Sequence, residues 1–397
     1  MRNRLILLTA LTLLVWTPSG GTAAAEKAGR VYYVSAAGND RASGLSPSHS
    51  WRTVRRVDAA QLRPGDRVLF RGDDTFAGAT LLPQNSGTAR RPIVFGAYGR
   101  GYPILEARDS AVFLAPGISH LAFVRLRMTT GTASPASIFA GSDTGGGNVG
   151  ILITRSQLYE TGGAAIITKK ASDTGWQIIH NRISRTGDSG IILLGSYALV
   201  RDNVIADVGQ STTIPWGRHG IYVKAAHATV VGNLIHGFPG NGISLRFPDA
   251  HVVGNVISDG PIGIAYFSFD PVAGLSVVEK NTIKNVTSAG FYYDSTAHAG
   301  GGYPRESFDL KDNVMRVVSG AGINVQGATH VSMRIFENHV QGSYAVAIVA
   351  NSPVGGSYYE EKNTLQGVPL VRWDGQDIDV EGYRSASGQG LHDVFSP

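Results

Sequence analysis

Cysteine is absent from the 397 residues of the chain. Small secreted domains often need disulfides for stability. This chain can form none, so its stability has to come from core packing and backbone hydrogen bonds. Charged residues are also scarce, at 16%, whereas hydrophobic residues make up 43%. A chain of this length and composition can bury a large core, which excludes a small disulfide-stapled scaffold.

Other features are missing as well. The sequence has no run of lysine and arginine of the kind that binds nucleic acid, and its formal net charge is only +5. No stretch after the N-terminal segment approaches the ~20 apolar residues that cross a bilayer. Phosphate-binding glycine loops, zinc-ligand spacings and nucleophile elbows are absent too. These absences predict a protein that binds no nucleic acid, has no membrane span and needs no organic cofactor. We also expect it to be a monomer.

The N-terminal segment 1–25 has the features of an export signal. Arg2 and Arg4 precede an apolar stretch, 5–15, which is too short to span a bilayer. A proline and a glycine interrupt the apolar pattern, and the alanines at 23–25 offer a cleavage site. We expect this segment to be removed and the mature protein to be secreted.

Asparagine recurs from residue 181 onward at intervals of 22 to 32 residues. The recurring residues are Asn181, Asn203, Asn233, Asn255, Asn281, Asn313, Asn338 and Asn363. An apolar residue stands two positions after each, and another stands three positions before all but the last, where Glu360 is the exception. Asparagine at a repeated turn tolerates left-handed backbone and can hydrogen-bond to its neighbours above and below. A repeat of this length indicates a solenoid.

Glycine recurs in a second series that runs parallel to the asparagine repeat. Each of these glycines begins a short strand of alternating residues, where we expect the chain to turn sharply. These residues are Gly190, Gly220, Gly242, Gly263, Gly290 and Gly322. Short strands cannot bury their apolar faces alone, but stacked coils bury one another. The sequence therefore predicts an all-β parallel solenoid, with a β-sandwich as the main alternative.

The N-terminal part differs from the repeats. Residues 31–34 and 67–70 alternate as strands, and 50–60 have the pattern of a short helix with Ser50 as its N-cap. A helix across the first coil would cover the apolar end that a solenoid leaves open.

Two stretches resemble the opening of secreted bacterial proteins of the pectate-lyase-like superfamily. They are Val31-Tyr-Tyr-Val-Ser-Ala-Ala-Gly-Asn-Asp and Leu62-Arg-Pro-Gly-Asp-Arg-Val-Leu-Phe. The resemblance implies a single-stranded right-handed parallel β-helix with a short N-terminal capping helix. We expect a signal peptide at 1–25, the N-terminal cap and first strands at 26–110, the coils at 111–366 and a C-terminal cap at 367–397.

One face of the predicted solenoid is rich in groups that bind sugars. Residues two and four positions after each strand glycine should face solvent, and we call them the candidate face. Position four has Lys169, Leu194, Lys224, Arg246, Phe267, Asp294 and Gln326 in successive coils. Position two includes Tyr222, Ser244, Tyr292 and Asn324.

Insertions point to the same face, since per-repeat insertions commonly border the binding face of a solenoid. They lie at 207–218, 268–273 and 295–305. The residues predicted to contact a polysaccharide substrate are Tyr222, Tyr292, Asp294, Lys169, Arg218, Trp216 and Asn324.

Lys224 and Arg246 are 22 residues apart, which is one coil, and adjacent strands lie ~4.8 Å apart. Cleavage of a uronate polymer by β-elimination needs a cation for the carboxylate, a base for the neighbouring ring proton and a proton for the leaving oxygen. A lysine can be the base when a nearby guanidinium favours its neutral form.

The segment from Lys224 to Asn233, followed by Gly242-Ile-Ser-Leu-Arg246, resembles the catalytic stretch of the family of alginate lyases and chondroitinase B. This resemblance implies that Lys224 is the base and Arg246 the acid. The family has acidic calcium ligands shortly before the lysine, where this chain has Gly217 and His219. We therefore predict no metal site of that type, with His219, Arg218 or Lys169 stabilising charge in place of calcium. A calcium ion held by other ligands stays an open alternative.

Other functions stay open at this point. A glycoside hydrolase needs two carboxylates, for which Asp294 and the more distant Asp188 are the candidates. A uronate epimerase would take and return a proton at the same carbon. A non-catalytic glycan-binding or surface protein would present a flat face instead of a cleft between the insertions.

Overall fold

The computed structural model describes residues 28–141, 144–211, 218–267, 273–295, 305–326, 331–342, 348–350, 358–366, 371–374 and 376–396. These residues form a right-handed parallel β-solenoid of about eleven turns with few helices. The predicted fold class is therefore confirmed. The predicted signal peptide lies outside the described residues. No helix within those ranges has both the length and the apolar character needed to cross a membrane.

The described strands stack in three columns, and the thirteen of them in the first column form a separate parallel sheet. Column 1 consists of Val31–Val34, Arg67–Arg71, Ile93–Tyr98, Leu121–Val124, Leu152–Thr154, Gln177–Ile179, Leu199–Arg201, Thr229–Val231, His251–Val253, Ala273–Glu279, Arg305–Lys311, Ser332–Phe336 and Tyr358–Glu361. The sheet starts at Val31, so the N-terminal strands already belong to the solenoid.

Columns 2 and 3 form one continuous sheet, because two long strands, Val256–Phe267 and Thr282–Asp294, run through both. The other strands of column 2 are Thr75–Ala77, Ile104–Ala107, Arg127–Thr130, Gln157–Thr161, Arg182–Thr186, Val204–Ala206, Leu234–His236, Val314–Val317, His339–Gly342, Thr364–Gln366 and Val394–Ser396. The other strands of column 3 are Val112–Leu114, Ala136–Ala140, Ala164–Thr168, Ile191–Leu193, Ile221–Val223, Asn241–Leu245, Ala321–Gln326, Ile348–Ala350 and Val371–Trp373, with Gln376–Ile378 antiparallel to the last.

The recurring asparagines form a buried ladder at the bend between columns 1 and 2. The backbone N–H and Nδ2 of Asn203 both donate to Oδ1 of Asn233, at 3.0 and 2.9 Å. The same pair of bonds joins every successive asparagine from Asn181 to Asn363. At the C-terminal end, Asp393 Oδ1 takes the place of the next asparagine and accepts from Asn363. The predicted hydrogen bonding between coils is thus confirmed.

The ladder asparagines do not themselves adopt the left-handed backbone that asparagine tolerates. The residue immediately before each asparagine has the positive φ instead, as at His180 (56°), Asp202 (53°) and Gly232 (66°). This turn leaves the asparagine side chain directed into the solenoid, where its amide reaches the neighbouring coils.

The strand glycines are required by packing and not by a turn conformation. Gly220 and Gly242 do not have positive φ. A Cβ on Gly220 would lie 2.4 Å from a methyl carbon of Ile235, and one on Gly242 would lie 2.3 Å from Ile257. Each glycine therefore makes room for the isoleucine that stands two positions after the asparagine of the next coil.

Helices close both ends of the solenoid. The N-terminal helix is Val54–Asp58, and its N-cap is Thr53, whose hydroxyl accepts the Arg56 N–H, so the predicted start at Ser50 is wrong. A single 3₁₀ turn, Pro47–His49, precedes Ser50, which is extended. Val54 and Val57 are buried in the same core as the first strands. At the other end, the helix Val380–Ser387 buries Tyr383 completely.

Asp58 links the N-terminal helix to the next coil and gives a pH-dependent stability. Its carboxylate accepts the Leu82 N–H at 2.8 Å, while burial raises its pKa from 3.8 to about 6. A carboxyl whose pKa is higher in the folded state stabilises the fold at low pH, and that stability is lost as the pH rises from about 4 through about 6. We expect Asp58→Asn, which keeps an acceptor for Leu82 but has no charge, to increase the free energy of unfolding above pH 6 by about 1–2 kcal/mol.

Urea unfolding at pH 4 and pH 8 measures this difference, which should nearly vanish at pH 4. The exposed Asp109→Asn variant is the matched control and should match the unmodified protein at both pH values. An equal gain at pH 4 and pH 8 would mean that the Asp58 carboxylate charge is not the cause.

Candidate functional site

The alternation of the column 3 strands directs the candidate face away from the core, as predicted, but Ser244 on this face is fully covered. Ile221 and Val223 are buried, whereas Tyr222 is partly exposed and Lys224 is exposed. Cross-strand pairing aligns position two through successive coils as Tyr222, Ser244, Ala265, Tyr292 and Asn324. Pairing of Phe267 with Asp294, and of Asp294 with Gln326, aligns position four in the same way.

Arg246 lies between two aromatic rings on this face. Its guanidinium carbon is 5.0 Å from the ring centre of Tyr222 and 4.2 Å from that of Phe267. One of its nitrogens, Nη1, donates to Ser244 Oγ at 3.1 Å. Burial lowers the pKa of Arg246, and the neighbouring Tyr222 and Asp294 oppose that shift. Because an arginine pKa starts so high, the side chain remains a cation, held in place and partly removed from water.

Lys224 lies beside the same tyrosine. Its Nζ is 5.7 Å from the ring centre of Tyr222, so both cations lie within 6 Å of one ring. The Lys224 backbone N–H donates to Leu193 O at 2.7 Å, which fixes the end of the strand. The structure therefore brings together the two residues that the sequence placed one coil apart.

His219 is buried behind the face with a defined tautomer. Its Nδ1 accepts the backbone N–H of Asn241 at 3.0 Å, and the backbone N–H of His219 donates to Ser189 Oγ at 3.0 Å. Burial, reinforced by the Arg246 charge, lowers the pKa of His219 to about 3. The ring is therefore neutral with its proton on Nε2, and it packs 5.0 Å from the ring of Tyr222. In this state it can donate a hydrogen bond but supplies no positive charge.

Tyr292 and Asp294 form a hydrogen-bonded pair on the C-terminal side of Phe267. The Tyr292 hydroxyl donates to Asp294 Oδ2 at 3.1 Å and lies 3.2 Å from Gln326 Oε1. Burial, together with the Asp294 charge, raises the pKa of Tyr292 to about 12, so the hydroxyl stays protonated. Its ring centre is 5.5 Å from that of Phe267. The hydroxyl is thus a fixed donor on the candidate face.

The remaining predicted contacts are spread more widely. Lys169 is exposed two coils before Lys224, with its Nζ 5.9 Å from the ring centre of Phe139. Arg218 is buried at the turn between columns 2 and 3, where its Nη1 donates to Gly209 O at 3.2 Å. Asn324 adjoins Tyr292 in position two. Trp216 lies outside the described residues, as do most of the three insertions.

Phe267 and Ser244 are the contacts that sequence reasoning missed as site residues. Ser244 occupies position two of the candidate face and Phe267 position four, in register with Tyr292 and Asp294 respectively. Their position was the available signal, but an apolar ring and a small hydroxyl do not by themselves indicate a role. Their importance follows from where the Arg246 guanidinium lies.

Asp294 is the one carboxylate in positions two and four of the described strands from Ile191 to Gln326. Asp188 belongs to the coil of Ile191, four coils before that of Phe291. Four strand spacings amount to about 19 Å, which exceeds the ~5–9.5 Å between the two carboxyls of a glycosidase. Asp188 therefore does not pair with Asp294. Elsewhere in the described ranges, no group of three or more histidine or acidic side chains is arranged to hold a metal ion.

Comparison with known families agrees with this architecture. The model of the right handed beta helix region matches residues 137–257, 164–300 and 210–358, which together span more than half of the chain. The chain belongs to this β-helix family. The sequence has no match among curated proteins.

Solved structures with a similar β-helix are distant in sequence. A complex of XylC with xylose has 11% identity and a TM-score of 0.65, over 92% of this chain and 86% of that one. The A-module of the Azotobacter vinelandii mannuronan C-5 epimerase AlgE6 has 12% identity and a TM-score of 0.57, over 84% and 91%. Tailspike protein 2 of Escherichia coli O157:H7 bacteriophage CAB120 has 10% identity and a TM-score of 0.52, over 79% and 45%. At these identities the likeness is one of fold alone.

Proposed function

We propose that this protein is a secreted polysaccharide lyase that cleaves a uronate-containing polymer by β-elimination on the candidate face. The observation that supports this best is the placement of Arg246 and Lys224 around the ring of Tyr222. A guanidinium held between two rings is a preorganised partner for a carboxylate, because it needs little further ordering when the substrate binds. The signal-like segment 1–25 supports export.

The proposed reaction has three linked events. The neutral amine of Lys224 takes the proton from C5 of the uronate, and the electron pair forms the C4–C5 double bond as the C4–O bond breaks. Arg246 stabilises the charge that builds on the carboxylate. It also donates a proton to the leaving oxygen, which its lowered pKa favours. Arg246 then regains a proton from solvent and Lys224 releases the C5 proton to solvent, so that the resting guanidinium is again a cation. The products are an unsaturated sugar and a free hydroxyl.

Two alternatives differ in what they require. A uronate epimerase shares the proton abstraction at C5 but returns a proton without breaking the C4–O bond. A glycoside hydrolase needs a second carboxylate near Asp294, and the described strands of the face supply none. Among the fold neighbours, the names of one with xylose and one with mannuronan are in keeping with a carbohydrate substrate.

The test is ultraviolet absorbance of the double bond while the purified protein acts on alginate, polygalacturonate and chondroitin sulfate, with a reducing-end assay alongside. We expect absorbance and reducing ends to rise together on one of these polymers. Reducing ends without absorbance would establish hydrolysis and overturn the proposal. Proton exchange at C5 with neither signal would establish an epimerase instead.

A further inference from the structure

We propose that a groove on column 2, away from the candidate face, is a second binding site for an anionic polysaccharide chain. The groove has a cavity volume of about 340 Å³. Its lining residues are Arg127, Gln157, Tyr159, Arg182, Ser184 and Arg185, and we call them the arginine groove. This inference rests on the proposed function only for the class of polymer, and it requires no chemistry at Arg246.

The strand register builds the arginine groove. Arg127, Gln157 and Arg182 are paired across three successive coils of column 2, and Tyr159 is paired with Ser184. Leu158, between Gln157 and Tyr159 in the strand, is buried. Side chains alternate between the two faces of a strand, so Gln157 and Tyr159 and their cross-strand partners face outward. Two arginines two coils apart, about 9.6 Å along the solenoid, therefore flank one neutral amide on a single face.

The guanidinium groups of Arg127 and Arg185 are held in position before any ligand arrives. Arg127 Nε donates to Gln157 Oε1 at 2.8 Å. The guanidinium carbon of Arg127 is 5.6 Å from the ring centre of Tyr159, and that of Arg185 is 6.0 Å from the same ring. Tyr102 extends the aromatic surface, with its ring centre 6.0 Å from Arg127. Preorganisation of this kind reduces the entropy lost on binding.

The positive charge of the arginine groove is only partly compensated. Arg185 pairs with Glu160 at 2.9 Å. Arg127 bonds to a neutral amide, and within the described ranges neither it nor Arg182 forms an ion pair. Two guanidinium groups with unused donors favour ligands that have carboxylate or sulfate oxygens, which a planar fork can bind through two hydrogen bonds.

The ligand class follows from the combination of groups. A partly exposed tyrosine ring beside guanidinium groups suits a sugar that packs its C–H face on the ring and directs its acidic group to an arginine. A cavity at the lower end of the ~300–1,000 Å³ range of ligand sites fits a short segment of a chain. The groove would then hold the polymer outside the reaction site and raise its local concentration there.

The test is affinity electrophoresis through gels that contain alginate or polygalacturonate, with neutral xylan as the reference gel. The test variant combines Arg127→Gln with Arg182→Gln. The matched control combines Lys284→Gln with Arg316→Gln, since these exposed cations lie in register on later coils of the same column. Both double variants lose two charges, so they separate the groove from net charge.

We expect the test variant to bind the anionic gel about tenfold more weakly, with the control within about twofold of the unmodified protein. An equal loss in both variants, or no retardation of the unmodified protein by either anionic polymer, would overturn the inference. Retardation is measurable whether or not a product forms, so failure of the proposed lyase activity is a separate result.

Discussion

Replacing Lys224 with alanine is expected to lower the rate of unsaturated-product formation by about 10²- to 10⁴-fold, the usual contribution of a general base. Lys224 is exposed and lies 5.7 Å from the ring of Tyr222, around which the Arg246 guanidinium is also held. Removal of the amine leaves the carboxylate partner in place but leaves no group to take the C5 proton. The loss should therefore appear in kcat, with a small change in KM.

A matched control separates this role from a loss of charge. Lys284 is equally exposed but lies on column 2, so Lys284→Ala should retain full activity. The Arg246→Lys variant keeps the charge but loses the planar group between Tyr222 and Phe267, and we expect about a hundredfold loss of kcat/KM. Full activity of Lys224→Ala would mean that another residue is the base.

Replacing Asn233 with alanine is expected to lower the free energy of unfolding by about 3–5 kcal/mol, because several buried partners lose their hydrogen bonds at once. Asn233 Oδ1 accepts from the N–H and Nδ2 of Asn203, and its own Nδ2 donates to Asn255 Oδ1 and Val200 O. Alanine provides neither donor nor acceptor, and the site is 1% exposed. Each unsatisfied buried group costs about 1–3 kcal/mol.

Urea unfolding monitored by circular dichroism measures the effect. Gln177→Ala removes an exposed amide from column 1 and should change the free energy of unfolding by less than about 0.5 kcal/mol. If Asn233→Ala does not fold, Asn363→Ala, next to the end of the ladder, provides a second measurement. A loss below about 1 kcal/mol in both asparagine variants would show that the ladder contributes little.

Periodicity was enough to predict the fold, because one repeat dictates both the ladder and the strand register. The interval between asparagines placed Asn233 and Asn255 in adjacent coils, and the alternation after Gly220 placed Tyr222 and Lys224 outward. Both follow from the geometry of a strand, which is the same in every coil.

The positions of individual side chains could be predicted less well from the sequence than the fold, because they depend on contacts between coils. Spacing puts Arg246 one coil from Lys224, but it cannot place a flexible guanidinium between Tyr222 and Phe267. His219 was predicted to stabilise charge in place of calcium, whereas its ring is buried, neutral and an acceptor of the Asn241 N–H. Local patterns also misplaced the first helix, since the hydroxyl of Thr53, and not that of Ser50, caps it.

The asparagine ladder also has a direction. In every rung the backbone N–H and Nδ2 donate to Oδ1 of the asparagine on the C-terminal side, while Nδ2 also donates to a backbone carbonyl of the preceding coil, as at Val200. The Oδ1 atoms therefore all accept from the N-terminal side, so the side-chain amides are aligned along the solenoid axis as backbone amides are in an α-helix. The positive end of this array is at Asn363, whose two donors meet the single oxygen Oδ1 of Asp393. Asp393 therefore does for the ladder what an N-cap does for a helix. The side chain of Asp393 has no amide group to donate to a further coil, so the ladder of side-chain hydrogen bonds ends at this residue.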